Sequence, residues 1–595
     1  MNQSSLLGRF VNWRVRHMGD SQFILLLSGI VGLFGGLAAV GIKLLIHYLH
    51  HQLTTFINDS SFNLWYLILP LTGVILSVAL IKYLYRGSFA HGITNVLYAI
   101  SKNKSIVKLK DAVYFMFGSI FTVGLGGSVG MEATLIMTGS SLGSNLAQSF
   151  RLSFSHRVLL LGCGAAAALA SFFHAPIAGV VFALEVLMLD LTMSSLVPLL
   201  MASVIGTIVG RIFLGQDIIL DFSRHSPFLV EQLPYFVVLG LASGLIGIYF
   251  AKVDHFTEKL GQKLGGGWKK ALVLGGLAAL MIYSFPPLFG EGYSAISQVF
   301  NGDSAALLRN SFFEQFSEFK IHFLVFLLAV VLLKALAVAF TLGAGGIGGY
   351  FAPSLFLGGI TGFLVARAIN ILKLFPVHLP EDNFTLVGMA GVMSSVFYAP
   401  LSAVFLIAEI TSGYDLIVPL MLVATTSYLI GHYVEPHSLF TRRLARRGEL
   451  ITHHKDQAVM AMMDMQSMIE NDFKPTHPDA TFREFLREAV GKSKRNIFPV
   501  LDDEGKLISI VLLDDVRPMI FKEDQYDKME ISELMRKPPA KILMSDRIHE
   551  VLKKFDHTSA WNLPVVEEDG RYVGFISKSK LLSAYREMLV EMSYD

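Results

Sequence analysis

Two glycine-dense blocks constrain this chain more than any other feature. "GGSVGMEATLIMTGSSLG" spans residues 126–143 and "GGIGGYFAPSLFLGGITG" spans 345–362, a constant offset of 219. Gly126, Gly127, Gly130, Ala133, Gly139 and Gly143 pair with Gly345, Gly346, Gly349, Ala352, Gly358 and Gly362. Two further blocks follow in the same order: "HAPIAGVVFALE" (174–185) matches "YAPLSAVFLIAE" (398–409), and "LVPL" (196–199) matches "IVPL" (417–420). Low complexity can produce one glycine match, but not three ordered ones, so the spacing predicts a duplication into halves of about 220 residues.

The halves are built for lipid. Of 595 residues, 53% are hydrophobic and 16% charged, and mean hydropathy is +0.54. Apolar runs near the roughly 20 residues of a span recur at Phe23–Leu49, Leu64–Leu84, Val158–Leu191, Phe236–Phe250, Ala271–Tyr283, His322–Leu342 and Leu416–Tyr433. Glycine and proline interrupt others at corresponding places in both halves, the pattern of a midplane site made from broken helices. Arg9, Arg14, Arg16 and His17 precede the first run without a cleavable apolar core. Arg442, Arg443, Arg446 and Arg447 follow the last, so the positive-inside rule puts both ends in the cytoplasm. A net charge of +2 implies no nucleic-acid partner. The single cysteine, Cys163, allows neither a disulfide framework nor a cysteine metal site.

In hydrocarbon, non-helical backbone survives only where it lines a cavity or is buried in protein. Loops such as "GLGGSVG" and "GAGGIGGYFAP" therefore line something. Glycines let successive N–H groups converge, and the helix start that follows adds partial positive charge, so the loops suit an anion. Gly139, Gly143, Gly358 and Gly362, four apart within apolar helices, fit close helix packing instead. Glu132 directly follows the first loop. Its carboxylate can occupy the anion site when ionised and leave it when protonated; the other role open to it is that of a neutral acid bonded to backbone. Intramembrane acids are functional by default.

From about Gly448 charge rises and short β-like runs alternate with amphipathic helices. "FPVLDDEGKLISIVLLDDV" (498–516) lies over "LPVVEEDGRYVGFISKSKL" (563–581) at an offset of 65, pairing Pro499 with Pro564 and Gly505 with Gly570. Each unit reads as strand, acidic glycine turn, strand, helix. The expected organisation is an all-α polytopic membrane protein with an α/β tail: leader 1–22, first half 23–215, second half 216–447, linker 448–470, and tail units 471–525 and 526–595.

These motifs resemble the CLC family of chloride channels and proton-coupled chloride transporters, and the resemblance runs the whole chain. "GMEAT" (130–134) is similar to the family's G-[KR]-E-G-P with Glu132 at the gating glutamate, "GYFAP" (349–353) to G-x-F-x-P, and "AHGIT" (90–94) sits where G-S-G-I-P would fall. The tail resembles a CBS pair. The resemblance implies an inverted repeat, a homodimer with one chloride pathway per subunit, and a cytoplasmic tail. It further implies anion contacts from His91, Gly92, Ile93, Gly130, Met131, Tyr350, Phe351, Ala352 and position 440.

Departures from the family pattern are informative. Met131 replaces the basic residue before the gate, Ala133 and Thr134 replace glycine and proline, and Phe440 replaces a chloride-contacting tyrosine. Alignment on the proline puts Glu185 at the first of two family acids and Val186 at the second, the proton-relay position. Valine carries no proton, so the expectation is a passive chloride channel gated by Glu132; the alternative is a proton-coupled chloride antiporter. A cation carrier regulated by its CBS pair is a third reading, disfavoured because the loops precede helix starts.

In the tail, the resemblance makes Asp515 and Ser577 candidates for an adenine nucleotide, each within an incomplete motif: Leu512 replaces a hydroxyl residue and Lys580 an acid. His47, His50 and His51 in "HYLHH" share a helical face, which reads as a solvated cluster rather than a metal site. No catalytic motif is present, so neither an enzyme nor a resident cofactor is expected, and compact loops favour a bacterial inner membrane.

Overall fold

A computed structural model describes residues 17–58, 64–85, 92–189, 192–215, 226–302, 306–308, 320–372, 378–411, 413–447, 460 and 463–593. The chain divides into two compact units, 1–450 and 451–595. In the first, eight helices precede eight equivalents. They are α1 (Asp20–Asn58), α2 (Trp65–Ala79), α3 (Gly92–Lys102), α4 (Leu109–Gly124), α5 (Glu132–Ser149), α6 (Phe154–Phe173), α7 (Pro176–Glu185) and α8 (Met193–Leu214). The second set is α9 (Leu233–Leu264), α10 (Gly267–Ser284), α11 (Tyr293–Phe300), α12 (Lys320–Gly343), α13 (Phe351–Leu372), α14 (Glu381–Phe397), α15 (Pro400–Ile410) and α16 (Ile417–Val434), followed by α17 (Arg442–Arg447). Among the described residues, 8 helices are long and apolar enough to cross a membrane.

One apolar run behaves differently from its reading as a single segment. Val158–Leu191 holds two helices, because His174 takes a left-handed conformation (φ 57°) after α6, and Pro176 opens α7. Its equivalent Tyr398 (φ 59°) separates α14 from α15 in the same way. A proline at the first turn loses no helical hydrogen bond, so it starts a new helix where it would break an old one.

Hydrogen bonds between equivalent residues reveal how the halves are related. Glu185, ending α7, accepts from the N–H groups of Leu401 and Ser402 at the start of α15 (3.1 and 2.7 Å). Reciprocally, Glu409 near the end of α15 accepts from Ile177 and Ala178 at the start of α7 (3.0 and 2.8 Å). Each carboxylate thus satisfies orphan amides at the positive end of the other helix. Two equivalent helices joined head to tail are antiparallel, so the halves are inverted.

Close packing of small residues holds each half together. A Cβ on Gly139 would lie 2.1 Å from the carbonyl oxygen of Gly164, and one on Gly143 would lie 2.0 Å from that of Leu160, which locks α5 onto α6. On α13, the equivalents Gly358 and Gly362 would meet the carbonyls of Gly388 and Phe384 of α14 at 2.3 and 1.8 Å. Backbones this close gain dispersion and exclude lipid between the helices.

In the tail, β1 (Ile497–Leu501) and β2 (Leu507–Leu512) form one antiparallel hairpin, and β4 (Asn562–Val566) and β5 (Tyr572–Ser577) another, with β3 (Ile542–Leu543) parallel to β4. Gly505 and Gly570 turn the hairpins at φ 77° and 89°, a conformation open to glycine. Here too equivalents exchange bonds: Leu507 N–H donates to Gly570 O and Tyr572 N–H to Gly505 O, both at 3.0 Å. Folded structure begins inside the segment read as linker. Met465 and Met468 pack into the core around Ile542, Phe555 and Leu563, and Glu470 pairs with Phe575.

Candidate functional site

The two glycine loops meet at the centre of the membrane unit. Gly126 and its equivalent Gly345 both turn left-handed (φ 87° and 102°), directing each loop back toward the start of the next helix. Gly130 and Gly349, also equivalents, then exchange both backbone hydrogen bonds (2.9 and 2.8 Å) in a single antiparallel bridge. This bridge aligns the starts of α5 and α13, so the first amides of two helices face one small volume. A third helix start joins them, because a Cβ on Gly92 would lie 2.9 Å from Ala133 O and from the Phe115 ring. Three positive helix ends converge without a lysine or arginine at their centre.

Glu132 is the first residue of α5 and is fully buried. Its side chain folds back over Gly130, whose absent Cβ would lie 2.2 Å from Oε2. One carboxylate oxygen accepts from the Tyr293 hydroxyl, the other from Ala352 N–H at 3.4 Å. Both donors are neutral. The carboxylate therefore sits among amides that would otherwise face an anion, held by bonds that protonation weakens.

Of the residues singled out from sequence, Ile93, Gly130, Met131, Tyr350, Phe351 and Ala352 are all buried around this point. Two are already engaged: Gly130 N–H in the loop bridge, and Met131 N–H with Glu291 Oε1 (2.9 Å). His91 lies outside the described residues. Phe440 stacks on Phe397 (centroids 4.8 Å) and lies near the Tyr350 ring (6.3 Å), while its carbonyl accepts from Thr94 Oγ1 of α3 at 3.3 Å. An aromatic wall replaces a hydroxyl at that end.

Glu185 and Val186 lie elsewhere, at the junction of α7 and α15. Glu185 is occupied in capping α15, with Ser402 Oγ donating to it as well (2.7 Å), and Val186 is buried and apolar. In the tail, Asp515 is paired with Arg536 (2.7 Å), and Ser577 Oγ accepts from Lys580 N–H (3.3 Å) at the start of the last helix. Among the described residues no group of three metal-ligating side chains occurs.

Sequence reasoning missed two buried charges, Lys334 and Asp254, and a half-buried one, Glu291. Glu291 lies in the loop before α11. Lys334 of α12 donates to the carbonyls of Leu288 and Gly290 (3.2 and 2.9 Å). Asp254 of α9 accepts from the Tyr350 hydroxyl (2.6 Å) and faces Arg443, which pairs with Glu258 (3.3 Å). A charge within an apolar or glycine-rich run was the available signal, in "FGEGY", "LLKAL" and "AKVDHF".

Residues 72–432 match the family described as voltage gated chloride channel, and residues 531–587 match the CBS domain. The chain belongs to the voltage gated chloride channel family. A putative chloride channel protein ClcB-like from Ralstonia nicotianae is 28% identical over 72% of this chain and 97% of its own length. The H(+)/Cl(-) exchange transporter ClcA of Klebsiella pneumoniae is 27% identical over 75% of this chain and 93% of its own. Among solved structures, a slow cyanobacterial Cl-/H+ antiporter superposes with a TM-score of 0.61 at 23% identity, covering 71% of this chain and 97% of that one. A eukaryotic CLC transporter covers 97% of this chain and 99% of its own, with a TM-score of 0.59 at 16% identity. This is an integral membrane protein of a chloride-transporting family with a C-terminal CBS domain. Two of these relatives are named as proton-coupled chloride exchangers and one as a chloride channel, whereas the expectation from Val186 is a passive channel here.

Proposed function

We propose that the protein exchanges chloride for protons through one pathway per subunit, with Glu132 as both gate and proton carrier. The observation that carries this is the seat of the Glu132 carboxylate, held by Tyr293 O–H and Ala352 N–H among three converging helix starts. An ionised carboxylate competes with chloride there; a protonated one yields its place. Each exchange of chloride for the side chain therefore moves with a proton.

Val186 leaves the inner proton acid unassigned, and Glu185 is committed to the α15 cap. Asp254 is the buried acid that suits the task. It accepts from Tyr350 of the second loop on one side and lies in the field of Arg442 and Arg443 on the other. Passive conduction is the second reading, favoured by Val186 and by the missing hydroxyl at Phe440. As a family property, the working unit is a homodimer, here in a bacterial inner membrane with the tail in the cytoplasm. The CBS pair is then structural unless Asp515 and Ser577 bind adenine nucleotide.

Purified protein in liposomes tests the exchange. A chloride gradient should drive protons uphill; Asp254→Asn should retain chloride flux while reducing proton flux about tenfold or more, the scale of losing a positioned acid. Normal chloride flux with no uphill proton movement in the unmutated protein would establish the passive channel instead.

A further inference from the structure

A cavity of about 120 Å³ opens beside the gate, lined by His47, His50, Phe289, Glu291 and Tyr293 among others. That volume holds several waters, at about 30 Å³ each. Glu132 does not line it and is fully buried, so a proton arriving by this route meets Glu291 and Tyr293 first.

We propose that Glu291 is a second proton-binding carboxylate of the gate, which takes a proton from this cavity and sets when Glu132 can be neutral. The geometry ties the two acids together. Glu291 Oε1 accepts from Met131 N–H at the cap of α5, one residue before Glu132. Tyr293, two residues after Glu291, donates its hydroxyl to Glu132. Both carboxylates thus flank one helix start, and Tyr293 belongs both to the cavity wall and to the gate.

The groups facing Glu291 come from four elements. Helix α1 brings Lys43, His47 and His50, α5 brings Glu132, α11 brings Tyr293, and α12 brings Lys334. Lys334 is held against the loop by the carbonyls of Leu288 and Gly290. His50 packs against Phe289 with ring centroids 5.4 Å apart. Glu291 lies in the field of Glu132, and two carboxylates in one field resist ionising together. A proton moves from cavity water to Glu291. Transfer onward requires Tyr293 to pass its hydroxyl proton to Glu132 and to recover one from protonated Glu291 by way of cavity water, which leaves Tyr293 and the water unchanged and Glu291 ionised again. Chloride is a third anion competing for the same field, so protonating the pair favours its entry.

This inference rests on Glu132 being the gate, but not on coupled exchange. The test is initial chloride efflux from liposomes as a function of pH, read from chloride alone, for the full chain and for Glu132→Gln, Glu291→Gln and Glu291→Asp. The unmutated protein should accelerate as pH falls, and Glu132→Gln should be insensitive to pH. Glu291→Gln keeps an oxygen for Met131 N–H and removes only the charge, so its profile should move to lower pH by about one unit or more. Glu291→Asp, which restores an acid, should move it back toward the original and supplies the readout if the glutamine variant does not fold. Superposition of the Glu291→Gln profile, or of a Glu291→Ala profile, on that of the unmutated protein would leave Glu291 as a helix cap only and overturn the proposal. Failure to pump protons uphill would refute exchange while leaving this shift to be read.

Discussion

The first and second glycine loops share a backbone and differ in chemistry. Gly130 and Gly349 bond to each other as equivalents, yet the residue two positions later is Glu132 in one and Phe351 in the other. Around Glu132 lie a tyrosine hydroxyl and, one residue back along the chain at the Met131 N–H, a second carboxylate. Around Phe351 lie the rings of Phe173, Phe397 and Phe182, with centroids 5.5, 5.6 and 6.2 Å away. Two inverted copies supply two helix starts for one anion; a single acid in one of them gives the pathway a single gate. Symmetry builds the site and its violation makes the site switch.

The largest expected effect comes from erasing that violation. Glu132→Gln should reduce uphill proton movement to background while chloride continues to flow, measured with a pH electrode and a chloride electrode on the same liposomes. Adding Phe351→Glu to that variant should not restore coupling, since among the described residues no counterpart of Tyr293 or Glu291 stands beside residue 351.

Next in size are the helix contacts, where the halves should behave alike. Gly143→Ala and its equivalent Gly362→Ala force a Cβ to within 2.0 and 1.8 Å of a facing carbonyl oxygen. Each should cost about 1–3 kcal/mol or more from overpacking, seen as a lower thermal midpoint in detergent. If one glycine were tolerated and its equivalent not, the packing symmetry would be broken where the backbone shows none.

Smaller again are the reciprocal caps. Glu185→Ala and Glu409→Ala should each lose about 1 kcal/mol, with similar values for the two. Neither should alter the ratio of protons to chloride. A loss of proton movement in Glu185→Ala alone would return that residue to the proton path.

The smallest effect lies in the tail, where Arg495 donates to Asp472 at 2.8 and 2.9 Å and holds its carboxyl below the ordinary range. A depressed folded value stabilises above the ordinary carboxylate range near about pH 4 and ceases to do so as pH falls through it. Because the pair is exposed, Arg495→Ala should reduce amide protection of β1 only slightly at pH 6, and by progressively less as pH falls below about 4, compared at matched pH by hydrogen exchange.

Much of this was legible in the residues. The offset of 219 identified Gly130 and Gly349, which bond to one another, and the offset of 65 identified the two tail turns, which exchange bonds crosswise. Apolar runs located the helices, except that Val158–Leu191 conceals a reversal: the left-handed turn at His174 leaves no composition signal beyond the proline after it. Glu132 stood out because it interrupts glycines. Glu291, Lys334 and Asp254 did not, since each is a charge whose partners lie 44 to 160 residues away in sequence.

By itself, the sequence determined that the chain is duplicated, that its halves enter lipid as helices, and that one acid sits at a helix start. Apolar length, glycine spacing and helix polarity are local properties, carried by neighbouring residues. Only the tertiary structure decided that the halves are inverted, that Glu185 is a cap, and that Glu132 shares its surroundings with Glu291 and Tyr293. Those facts depend on distances across the fold, where a buried charge takes its role from whichever group the packing brings beside it.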